Sequence, residues 1–200
     1  MNLLIDLAPT SVDINGEKYE INSDFRTSIL FELLTLDKSI QHNDKIRLAL
    51  DLYYPVRPKD TVLAIEKILW FYRGGKDAVK PKRSVKGGNR SSTQVYSFEH
   101  DDDYIYAAFM DQYGIDLQDI DELHWWKFKA LFKSLKEDNE IVKIMKYRGT
   151  DLSTIKDKEQ KAYYKKMQEI YKIPLPQDEQ EKLDEITNAL LNGNDISKFL

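Results

Sequence analysis

The stretch DELHWWKFKALFKSL, residues 121–135, constrains the fold more than any other. Read at 3.6 residues per turn, Trp125, Phe128, Leu131, Phe132 and Leu135 fall on one stripe, the pattern of a helix that buries an apolar face. Trp126 lies about 100 degrees from Trp125 around such a helix. Both indoles are hard to bury on one face, so one of them is expected to mark a surface that meets a partner. Trp125, Trp126, Phe128 and Phe132 are therefore the candidate partner-binding residues, suited to helix-in-groove recognition.

The rest of the chain reads as mainly α, a helical bundle with a small N-terminal β-hairpin. In SVDINGEKYEIN, Val12, Ile14, Tyr19 and Ile21 alternate around Asn15-Gly16, a dipeptide that accepts the positive φ angles of a tight hairpin turn. Two strands cannot bury a face alone, so the hairpin is expected to lie on the helix that begins after Ser23 or Asp24 and carries Phe25, Ile29, Leu30, Leu33 and Leu34. DKIRLALDLYY predicts a short helix stopped by Pro55, and a second follows Pro58 and ends at Gly74-Gly75. Further helices are predicted over 100–113, 121–137, 139–148, 157–171 and 178–191, several closed by glycine or proline. The expected organisation is 1–74, hairpin plus helices; 75–97, a flexible basic linker; and 98–200, a helical region.

With 42% apolar residues the chain has material for a core, and 34 acids against 30 bases leave a net charge of -4 that gives no global attraction to nucleic acid or an anionic membrane. The absence of cysteine excludes disulfides and thiolate chemistry. MNLLIDLAPT has no basic segment before its apolar run and is interrupted by Asp6, so neither a signal peptide nor a membrane span is expected.

Two charged stretches invite a chemical reading. From Glu99 to Glu122 there are nine acids and no Lys or Arg. Glu99, His100 and Asp103 could offer a divalent ion two carboxylates and an imidazole, but Asp101, Asp102 and Asp103 point around a helix rather than converging, and His42 and His124 sit in no ligand motif. The acids are better read as a helix start, where negative side chains oppose the helix dipole for about 0.3–1 kcal/mol each. No metal and no cofactor is expected. The linker holds six Lys/Arg against one acid between residues 75 and 95. Lys82, Arg83, Lys86 and Arg90 are the candidate nucleic-acid contacts, but residues 76–95 interleave no aromatics for base stacking, so a solvated loop is the preferred reading. Phosphate-loop and nucleophile-elbow motifs are missing, and no enzyme is expected.

The order of features, from I.G..Y.I..DFR through AIEKILWFYRGG to YSFEHDDDYIYAAFMDQYGIDLQDID-ELHWWKFKALFKSL and IMKYRGTDLS, resembles the bacteriophage Gp-fifteen family of long-tailed phages and prophages. The likeness spans nearly the whole chain and is strongest from Phe98 to Leu152. The resemblance implies a phage tail assembly factor, encoded just before the tape-measure gene, and carries over no catalytic residues. Its expected partners are the tape-measure protein and tail-tube subunits, met in the host cytoplasm, with the factor absent from the mature virion. Self-association through the hairpin edges or the paired Trp residues is compatible with this reading. A nucleic-acid accessory protein using the linker and a minor structural tail component are the alternatives.

Overall fold

Asn15 (φ 54°) and Gly16 (φ 83°) both take positive φ, as a primed hairpin turn requires, and the Gly16 amide donates to Asp13 Oδ1 at 3.1 Å. They join β1 (Ser11–Ile14) to β2 (Glu17–Glu20) in an antiparallel pair with Val12 opposite Tyr19. This is a computed structural model, and it describes residues 2–77 and 94–174. The helix predicted over 178–191 and most of the linker lie outside those residues. Among the described residues seven helices follow the hairpin: α1 (Phe25–Leu36), α2 (His42–Tyr53), α3 (Thr61–Tyr72), α4 (Asp102–Tyr113), α5 (Trp125–Lys133), α6 (Glu140–Gly149) and α7 (Lys158–Ile170). The protein is mainly α with one small N-terminal hairpin.

The hairpin packs chiefly on α3 rather than on α1 as expected. The physical cause lies at its tip. Asn15 Nδ2 donates to Asp60 Oδ2 at 3.0 Å while Asp60 Oδ1 accepts the Leu63 amide at the start of α3, so one carboxylate caps the helix and anchors the turn. Those hydrogen bonds, the Leu63 amide foremost, hold the Asp60 carboxyl below its ordinary range. Val12 and Ile14 are buried beneath.

Residues Met1–Lys146 form one compact unit and Tyr147–Leu200 a second. The expected division at the linker is therefore not where the chain separates: α5 packs on both α1 and α4, so residues on either side of 75–97 share one core. Within that stretch Tyr96 is half-buried and Ser97 is buried, which makes its C-terminal end part of the core rather than of a linker. In the second unit Tyr147 stacks on Tyr171 (5.9 Å) and meets Tyr163 and Tyr164 edge-on, while Gln168 Nε2 donates to the Tyr147 and Thr150 carbonyls. Asp157 caps α7 through the Gln160 amide.

Helix α5 begins at Trp125, four residues later than the pattern predicts, because the residues ahead of it are extended. Asp24 and His124 form an antiparallel bridge: the Phe25 amide donates to Leu123 O and the Trp125 amide to Ser23 O, each at 2.8 Å. Asp24 Oδ1 caps α1 at the Arg26 amide and Asp24 Oδ2 accepts the Leu123 amide. Arg26 spans the same junction, donating through Nη2 to the carbonyls of Leu117 and Ile120. The SDFR and LHWW motifs are two halves of one tertiary joint.

Candidate functional site

Trp125 is 2% exposed, Trp126 3% and Phe128 0%, which corrects the expectation that one indole faces outward. Phe128 stacks between Phe25 (4.8 Å) and Phe109 (4.9 Å), tying α1 and α4 to α5. Trp126 faces another way, against Phe71, Trp70 and His124 at 5.6 to 5.7 Å. A helix covered on more than one side buries residues that are 100 degrees apart. Phe132 is half-buried against Tyr96 and Phe98, the chain returning from the linker. A partner cannot reach the first three rings without opening the core.

The indoles also supply hydrogen bonds. The last carbonyls of a helix have no intrahelical donor. In α3, Trp126 Nε1 donates to Phe71 O at 2.7 Å, Trp125 Nε1 to Tyr72 O at 2.9 Å and Lys129 Nζ to Tyr72 O at 2.8 Å. The chain then closes in a Schellman turn, with the Gly75 amide on Trp70 O and the Gly74 amide on Phe71 O. WFYRGG and HWWKFK thus interlock, the Phe71 and Tyr72 carbonyls accepting from Trp125, Trp126 and Lys129.

Beside this joint, Glu32 accepts hydrogen bonds from the Tyr72 and Tyr96 hydroxyls, and Lys129 lies over the Tyr72 and Trp125 rings. Burial pushes the Glu32 carboxyl up against the opposing pull of the two phenols, pushes the Tyr96 phenol up to about 12 and lowers the Lys129 ammonium. The cluster joins chain on both sides of residues 78–93. Its geometry holds those ends together.

The acidic stretch is a helix start, as its pattern suggests, with one difference. Asp102 and Asp103 occupy the exposed first turn of α4, whereas Asp101 is buried and its Oδ2 accepts the Ser97 amide at 2.8 Å rather than an amide of its own helix. His100 pairs loosely with Glu99 at 3.9 Å. Among the described residues no three His, Asp or Glu side chains are grouped to hold a metal ion. Lys82, Arg83, Lys86 and Arg90 lie outside the described residues.

The outward-facing chemistry sits elsewhere, on features the sequence reading passed over. Asn2 and Asp6 close one turn of chain: the Asn2 amide donates to Asp6 Oδ2, the Leu4 amide to Asn2 Oδ1, and the Ile5 and Asp6 amides to Asn2 O. The turn presents Leu4, Ile5 and Leu7 at 94%, 81% and 93% exposure, with Leu3 half exposed. Next to it is a cleft of about 790 Å³ lined by residues 7–11 with Lys18, Glu122, His124 and Lys127. The run NLLIDL was legible only as too short to span a membrane. Its lack of helical or strand periodicity was the signal that these residues have no core to fill.

His124 forms part of the cleft and caps α5. Its Nδ1 accepts the Trp126 amide at 3.0 Å, so Nε2 carries the proton and donates to Pro9 O at 3.0 Å. Burial lowers its pKa, Lys127 acts in the same sense, and the Pro9 hydrogen bond and Glu122 oppose them. A base whose pKa is lowered on folding contributes stability that is full above the unfolded value of about 6.5 and is lost as pH falls through the folded one. Urea unfolding is expected to show the protein losing stability from pH 7.5 to 5.5. His124→Asn, which can still cap the helix, is expected to flatten that dependence. A wild-type stability that holds level across the window contradicts this role.

What the fold defines is a mainly α protein built around an aromatic joint, with Leu4, Ile5 and Leu7 on an N-terminal turn its most exposed large apolar side chains among the described residues. The family model described as Bacteriophage Gp15 protein matches residues 4–173, and the chain belongs to that family. It is a bacteriophage protein. No curated protein and no solved structure matched it. Among the described residues no helix is long and apolar enough to cross a membrane.

Proposed function

We propose that this phage protein is a non-catalytic tail assembly factor, a chaperone that binds the tape-measure protein, tail-tube subunits or both in the host cytoplasm and is absent from the finished virion. The observation that supports the reading is the turn carrying Leu3, Leu4, Ile5 and Leu7. Its backbone is satisfied locally while its apolar side chains face solvent, an arrangement that gains nothing for the isolated fold. A long apolar helical polypeptide awaiting assembly needs such a surface to stay dispersed.

Co-expression with the tape-measure protein and with the tube subunit, each in turn, followed by pull-down, tests the role. A complex with at least one of them is expected, lost in the triple variant Leu4→Ser, Ile5→Ser, Leu7→Ser. Mass spectrometry of purified virions is expected to find none of the protein. No complex with either partner defeats the proposal, and stoichiometric retention in virions makes the protein a structural component instead.

A further inference from the structure

The cleft beside the apolar turn has a charge pattern that specifies its occupant. Of its four ionisable groups, two already make hydrogen bonds: the Glu122 carboxylate accepts from Ser23 Oγ through Oε1 at 3.3 Å, and His124 spends both ring nitrogens on Trp126 and Pro9. The other two are the ammonium groups of Lys18, on β2, and Lys127, on the exposed face of α5. Both are exposed, and neither makes an ion pair among the described residues. Exposed Leu7 lines the same cleft, together with Ala8 and Pro9.

We propose that this cleft is a peptide-binding site for an acidic amphipathic segment of another protein, whose apolar side chains cover Leu7 and its neighbours while its carboxylates pair with Lys18 and Lys127. The inference rests on the assembly-factor reading and names the chemistry of the partner segment. Charge complementarity selects the occupant: two lysines without an ion pair and one carboxylate, Glu122, line a partly apolar cleft on a protein whose net charge is -4, so attraction of an acid is local to this site. A lipid surface fits less well. Polybasic membrane anchors gather four or more Lys or Arg on one face, whereas here two line a concavity that also contains Glu122.

The full chain is titrated, by fluorescence anisotropy, against a labelled amphipathic helical peptide with leucine on one face and glutamate on the other. The same peptide with every glutamate replaced by glutamine is the control. The acidic peptide is expected to bind at least roughly tenfold more tightly than the control, with the preference shrinking as salt rises. Lys18→Glu with Lys127→Glu is expected to abolish the preference, and Lys18→Gln with Lys127→Gln to reduce it, with unchanged circular dichroism. Leu7→Asp is expected to weaken both peptides.

Equal binding of the two peptides, indifference to the lysine variants, or no binding at all overturns the proposal. So does capture of phosphatidylglycerol vesicles in place of the peptide. If the protein still pulls down a tail component while failing these tests, the cleft assignment falls and the assembly role stands.

Discussion

Replacing Trp126 by alanine is expected to destabilise the protein by about 3–5 kcal/mol, the range for truncating a large buried aromatic. The indole is 3% exposed, packs on three rings and holds the Phe71 carbonyl at the end of α3. Alanine leaves both a cavity and a carbonyl without that donor. Trp126→Phe separates the two contributions: it refills most of the space, and its remaining cost of about 0.5–1.5 kcal/mol reports the missing hydrogen bond, since Phe71 O keeps the Gly74 amide. Urea unfolding followed by circular dichroism measures both. A surface tryptophan would cost within about 0.5 kcal/mol, so a small effect of Trp126→Ala contradicts the burial. Loss of partner binding in that variant is consequently to be read as unfolding, which is why the variants that test binding are placed on the N-terminal turn and in the cleft.

Gly75→Ala is expected to cost about 2–5 kcal/mol, from two sources that can be separated. At φ 73° an L residue is strained by about 1–2 kcal/mol. An added Cβ would also stand 2.5 Å from Trp126 Cη2 and 3.1 Å from Cζ2, closer than atoms can pack, and relieving that overlap costs about 1–3 kcal/mol more. Phenylalanine lacks the outer indole ring. In a Trp126→Phe background the steric part should vanish while the backbone strain remains, giving a coupling of about 1–3 kcal/mol in a double-mutant cycle. Strict additivity would mean that Gly75 and the indole do not meet.

The local grammar of this fold is legible residue by residue. Asn15-Gly16 announces the turn and its register, Asp24 the start of α1, Gly74-Gly75 the stop of α3, and Gly114 (φ 63°) the left-handed end of α4. The aromatic site was misread because a helical stripe assumes one covered face. Helix α5 is covered by Phe25 and Phe109 through Phe128 and by the end of α3 through Trp126, and neither neighbour is local in sequence. The same limit hid the bridge between Asp24 and His124, a hundred residues apart in the chain, and with it the late start of α5. The candidate cleft was least legible of all. It brings Leu7, Lys18 and Lys127 together from three parts of the chain, and no single segment carries its pattern.

The family motifs therefore hold the core together, and the proposed contacts with other molecules are placed on the N-terminal turn and the adjoining cleft. Hydrogen exchange of the three indole N–H groups, followed by NMR, tests this division most directly. The account predicts that the Nε1 protons of Trp125 and Trp126 exchange only as slowly as global unfolding permits, while that of half-buried Trp70 exchanges sooner. Rapid exchange at Trp126 under native conditions would place that ring at the surface, and the aromatic segment would return as the site of partner contact.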